Sequence, residues 1–117
     1  MVDPKRHAEF HDRQTKAFDG LLKALCSCVP QGWRSALLEL DVAHNPLTSR
    51  RAIKHRLRNP DTGAAVEEFP EALFLATTEL HTVFSAYDQV WRRSTVTLTF
   101  DQNGRMREAK ATYNYGS

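Results

Sequence analysis

Residues 91–115, WRRSTVTLTFDQNGRMREAKATYNY, decide how this chain folds. Val96, Leu98 and Phe100 alternate with Thr95, Thr97 and Thr99, which is the period of a strand with one apolar face, and β-branched threonine suits the pleated side that meets solvent. Asn103 and Gly104 supply the turn. On the return strand Ala109, Ala111, Tyr113 and Tyr115 share a parity, whereas Met106 falls out of step with them. A bulge at Arg107 or Glu108 restores the register, so the stretch reads as a hairpin with one buried face.

The same period recurs upstream. After Trp33, Leu38, Leu40 and Val42 point one way while Leu37, Glu39 and Asp41 point the other, giving a half-buried strand that ends at the turn His44-Asn45-Pro46. Residues 49–58, SRRAIKHRLR, alternate again, with Ile53, His55 and Leu57 on one face and Arg50, Lys54, Arg56 and Arg58 on the other. NPDTG at 59–63 is dense in turn residues, and a loop is expected to run from it through Phe69.

Two segments carry the helical period instead. Phe18, Leu21, Leu22, Leu25 and Val29 form one apolar stripe over about 13–29, stopped by Pro30 and Gly32; residues 1–12 either extend this helix from Pro4 or fray. Pro70 suits the first turn of a second helix, with Glu71 at the positive end of its dipole and Leu73, Ala76, Leu80, Val83 or Phe84, Tyr87 and Trp91 along one face, the helix ending near 88–90. The order is α-β-β-α-β-β, and two amphipathic helices with four one-sided strands imply an α+β two-layer sandwich. In it a four-stranded antiparallel sheet carries both helices on one face.

With 117 residues there is apolar material for one core, so one domain spans 1–117. A formal charge of +2 does not by itself point to nucleic acid or membrane. No apolar leader and no membrane-length apolar run occur, which makes the cytoplasm the expected compartment. Cys26 and Cys28 are two positions apart, too few for a closed zinc site and too close for an unstrained disulfide, and read as reduced thiols.

The candidates for chemistry are few. His7 and His11 would share a helix face but lack a third metal ligand, so neither a metal nor another cofactor is expected. His55 and His81 lie on elements that can approach each other, either as hydrogen-bonded core histidines or as the acid-base pair of a small hydrolase. No nucleophile elbow or phosphate loop accompanies them, and the chain reads as a non-enzyme. The stripe Arg50, Lys54, Arg56 and Arg58 presents several cations together, with Glu39 and Asp41 on the same outward parity one strand away. Three readings compete: a self-compensated solvated face, a protein-binding face, or a nucleic-acid-binding face, the last weakened by the lack of aromatic residues in the stripe.

VPQGWRSALLELDV and VWRRSTVTLTFDQNGRMREAKATYNY, with Trp33, Trp91, Gly104, Tyr113 and Tyr115, resemble the YezG-type immunity proteins over residues 14–115. These are bacterial antitoxins encoded beside polymorphic toxins, many of them nucleases. The resemblance implies a cytoplasmic protein that neutralises its cognate toxin by stoichiometric binding, with no catalytic residues to carry over. Trp33, Trp91, Gly104, Tyr113 and Tyr115 would then be fold determinants. One departure stands out: many members of that family are strongly acidic, whereas this chain is slightly basic. The expected contact surface combines Glu39 and Asp41 with Arg50, Lys54, Arg56 and Arg58, and an unpaired strand edge leaves room for a homodimer or for a strand from the toxin.

Overall fold

The computed structural model describes residues 4–45, 50–87 and 89–115. Helix α1 spans Pro4–Cys26, so the segment before residue 13 extends the helix. Its N-terminal half is held by tertiary contacts: Phe10 lies edge-on to Phe84 at 5.2 Å and against Tyr87 at 5.1 Å. The guanidinium groups of Arg6 and Arg13 sit over the Tyr87 ring at 5.2 and 5.6 Å, an attraction to the negative ring face. Ala17, Leu21 and Leu25 continue the stripe into the core. The helix stops before Val29, because the amides of Cys28 and Val29 both donate to the Leu25 carbonyl and close the last turn.

The chain then forms β1 (Ser35–Asn45) and β2 (Arg50–Arg58), followed by a short strand β3 (Ala65–Val66). Helix α2 covers Glu71–Ala86, and the closing hairpin is β4 (Arg93–Phe100) and β5 (Met106–Asn114). The end of α2 expected near residues 88–90 comes earlier, at a turn in which the amides of Tyr87 and Gln89 donate to the Phe84 carbonyl; Asp88 lies outside the described residues. Pro46, assigned above to the turn after β1, also lies outside them.

All pairings are antiparallel and the sheet order is β3-β2-β1-β4-β5. The architecture is therefore α+β, with two helices and an antiparallel sheet, but the sheet has five strands rather than four. The extra strand is β3, in the segment expected to be a loop. Gly63, at φ 79°, lets the chain reverse after Arg58, so Val66 meets Leu57 and Ala65 meets Arg58. Two residues are too short to display an alternating period, which is why sequence pattern alone passes over them.

The hairpin keeps the expected register. Thr99 pairs with Glu108 and Phe100 with Met106, leaving Arg107 as the extra residue of a bulge. Its turn is organised by Asp101, whose carboxylate Oδ1 accepts the amides of Asn103 and Arg105 at 2.8 and 2.9 Å, while Gly104 takes φ 82°.

Alternation sorts β1, β2, β4 and β5 into an inner and an outer face. Ala36, Leu38, Leu40, Leu57, Val96 and Leu98 are buried on the inner face, where Leu73, Leu80, Val83 and Phe84 of α2 and Leu21 and Leu25 of α1 join one core. Trp91 is fully buried in it, and Trp33 and Tyr113 pack against it half-buried, while Tyr115 is exposed. The core is not wholly apolar. The Trp91 indole N–H and the Ser85 and Ser94 hydroxyls are buried without a hydrogen-bond partner in the protein.

Candidate functional site: the outer face of the sheet

Register determines which charges meet on the outer face. One row across the sheet runs Lys54, Asp41, Arg93, Asn114; the next runs Arg56, Glu39, Thr95, Thr112. A third runs Arg58, Leu37, Thr97, Lys110. The expected site residues Glu39, Asp41, Lys54, Arg56 and Arg58 are thus brought together on one surface. Arg50 pairs through its backbone with Asn45 at the far end of β2, and its side chain lies outside the described residues.

The ion pairs are not those that direct cross-strand neighbours would give. Glu39 is opposite Arg56, yet its Oε1 binds Arg58 Nε diagonally at 3.2 Å. Asp41 is opposite Lys54 on one side and Arg93 on the other, and its Oδ1 binds Arg93 Nε at 2.8 Å. Lys110 Nζ and Glu108 Oε1 form a third pair at 3.2 Å along β5. Each carboxylate of the face is engaged by one cation, and Lys54 and Arg56 form no ion pair among the described residues. These exposed pairs contribute at most about 1 kcal/mol each to stability, so the arrangement acts mainly on the field presented to solvent.

Arg93 was not singled out by the sequence. A signal for it exists, since it shares the outward parity of Thr95 and Thr97, but its pairing with Asp41 requires β4 to lie beside β1. A hollow of about 440 Å³ opens beside it, lined by Thr95, Thr112, Tyr113 and Tyr115. Burial pushes the Tyr113 phenol up to about 12, with Tyr115 adding to the shift, so this hydroxyl stays protonated at physiological pH.

At the β2 edge a second cleft of about 420 Å³ reaches from Glu39 and Asp41 over Ile53–Arg56 to Phe69 and Phe74. His55 belongs to its helix-side wall. Its ring contacts Phe74 edge-on at 4.6 Å and Phe69 at 5.9 Å, and these two phenylalanines contact each other at 6.1 Å. Because a carbonyl can only accept, Nδ1–H donates to Ile53 O at 2.9 Å, and Nε2 lies 2.8 Å from the Thr77 hydroxyl, whose one proton it shares with the Phe74 carbonyl at 3.1 Å. Burial lowers the His55 pKa below the ordinary imidazole value, opposed by the Ile53 carbonyl, so the ring is neutral at pH 7.

His81, in contrast, is buried edge-on against Trp91 at 4.7 Å, and its Nε2 donates to the Trp91 carbonyl at 3.2 Å. The two rings named above as a potential pair are thus each committed to different partners. His7 and His11 lie exposed on α1, and among the described residues no three His, Cys, Asp or Glu side chains gather as a metal site. Both thiols are free, and burial raises their pKa values; Cys28 Sγ donates to the Ala24 carbonyl at 3.1 Å. Among the described residues no helix is long and apolar enough to cross a membrane.

Compared with known proteins, the chain matches no family model and no curated protein.

Proposed function

We propose that this protein is an immunity protein, which neutralises a cognate bacterial toxin by stoichiometric binding through the outer face of its sheet and performs no catalysis itself. The observation that carries this reading is the asymmetry of the sheet. Its inner face is closed by both helices, while its outer face holds a fixed array of paired charges with two further cations, Lys54 and Arg56, at one edge. Patterned charge of this kind steers encounter and rejects wrong partners, which suits a binder that must recognise one toxin.

The resemblance to YezG-type proteins supports the same reading. Of its residues, Trp91 in the core, Trp33 and Tyr113 against it, and Gly104 in the left-handed turn occupy positions consistent with fold determinants, whereas Tyr115 is exposed and does not. The cytoplasm is the corresponding site of action, where a toxin would meet its antidote. A basic contact face fits a toxin surface with acidic character, rather than the nucleic-acid groove of a nuclease.

The test is co-expression with the C-terminal domain of a candidate toxin encoded beside this gene. Restored growth together with a one-to-one complex on size-exclusion chromatography is the expected result; toxicity undiminished with no complex overturns the reading. A second reading, nucleic-acid binding through Lys54, Arg56 and Arg58, predicts affinity for DNA or RNA that falls steeply with salt as counterions are released. A flat titration at low salt disposes of it.

A further inference from the structure

We infer that the edge of β2 along Ala52–Arg56 accepts an extended acidic segment of a partner protein as an added strand. This rests on the reading of the protein as a binder of another protein, and it specifies the chemistry by which that partner docks.

The lane beside β2 is only partly filled. β3 pairs with Leu57 and Arg58 and goes no further, and no backbone hydrogen bond joins residues 67–69 to β2. The chain turns instead toward the helix layer, where Phe69 packs beside His55 and Phe74. What remains is the cleft of about 420 Å³ along Ile53–Arg56. The Ile53 carbonyl on this edge already accepts from His55 Nδ1–H at 2.9 Å, and an incoming strand pairs with the remaining amides and carbonyls, its alternate side chains falling on opposite sides of the sheet.

The two sides differ in chemistry. On the helix side are the rings of His55, Phe69 and Phe74, and Phe74 is 42% exposed despite being fully apolar. On the outer side stand Lys54 and Arg56, which form no ion pair among the described residues. A strand alternating acidic and apolar residues satisfies both at once. A second copy of this chain does not: antiparallel pairing of two β2 edges sets Lys54 against Arg56 of its twin, and like charges directly opposite are destabilising. The other open edge, β5, has its Lys110 already paired with Glu108 and is interrupted by the bulge at Arg107, a feature that blunts edge pairing.

The probe is a fluorescein-labelled octapeptide alternating glutamate and valine, titrated with the full chain by fluorescence anisotropy. Three comparators accompany it: the same peptide with proline at one central valine, a lysine-valine octapeptide, and a single-stranded oligonucleotide of equal charge. The proline and lysine peptides are expected to bind at least about tenfold more weakly, a difference of about 1.4 kcal/mol. The exposed double variant Lys54→Glu/Arg56→Glu is expected to lose a similar factor for the acidic peptide, and Phe74→Ser a smaller one.

Absence of peptide binding overturns the proposal, as does equal binding of the proline peptide, because backbone pairing is then not involved. Tighter binding of the oligonucleotide makes the edge a general polyanion site and also overturns it. So does a wild-type dimer in sedimentation that the double variant converts to monomer. Protection from the toxin is read separately: full protection by the double variant removes the strand-docking inference and leaves the immunity reading intact, whereas peptide binding without protection does the reverse.

Discussion

The two faces of the sheet are built by alternate residues of the same strands, yet their energetics differ. On β1, Ala36, Leu38 and Leu40 are sealed from solvent, while Leu37, Glu39 and Asp41 between them remain partly exposed. Burial of each leucine on the inner side is worth roughly 1.5–3 kcal/mol. On the outer side an ion pair such as Arg58–Glu39 gains little, since water competes for both partners. The inner face therefore holds the fold, and the outer face is free to vary in charge without loss of it.

The largest test of this contrast is Leu38→Ala, which opens a cavity beneath both helices and should cost about 2–5 kcal/mol in urea unfolding. A loss below about 1 kcal/mol would mean that the core collapses around the gap and that the inner face is less decisive than its burial implies. Next comes the hairpin turn. Gly104→Ala has room for its Cβ but must hold φ 82°, and the left-handed conformation should cost about 1–2 kcal/mol.

His55 sits where the two faces meet at the β2 edge and adds a pH dependence. Its folded pKa lies below its unfolded one, so between them the unfolded chain binds more protons. The stability it contributes is complete above about pH 6.5 and is lost as pH falls through the folded value. Unfolding free energies of a His55→Gln variant should accordingly decline less steeply than wild type as pH falls below about 6.5. An unchanged slope would assign acid sensitivity to another group.

The smallest effects on stability belong to the outer face. Arg58→Ala should shift unfolding by less than about 1 kcal/mol. Arg56→Glu should likewise leave stability nearly unchanged while slowing association with the proposed toxin partner and altering its salt dependence, measurable by stopped-flow at two ionic strengths. If reversal of Arg50, Lys54 and Arg56 together leaves association untouched, the outer face is not the contact surface.

Much of the fold was legible along the chain because its signals are local. The alternation in LLELDV and TVTLTF named the buried parity of β1 and β4, and the misfit of Met106 against Ala109 and Tyr113 narrowed the bulge to Arg107 or Glu108, of which the structure selects Arg107. The candidate site was legible only by halves. Glu39, Asp41, Lys54, Arg56 and Arg58 could be assigned to one face by parity, but Arg93 could not be joined to Asp41, nor Phe69 and Phe74 to the edge of β2. Those relations depend on segments far apart in sequence.

The sequence by itself determined the period of both helices and of β1, β2, β4 and β5, the direction these strands turn their apolar side, and the placing of the Gly104 turn. These follow from alternating burial and from backbone conformations that neighbouring residues fix. Only the tertiary structure decided that α1 begins at Pro4, since Phe10 needs Phe84 and Tyr87 to pack against, and that β3 joins the sheet. It also decided which cations are consumed: with β4 beside β1, Arg93 takes Asp41 and Arg58 takes Glu39, leaving Lys54 and Arg56 outside any ion pair among the described residues. Charge partners are chosen by proximity in space, and strand order, which no local pattern encodes, sets that proximity.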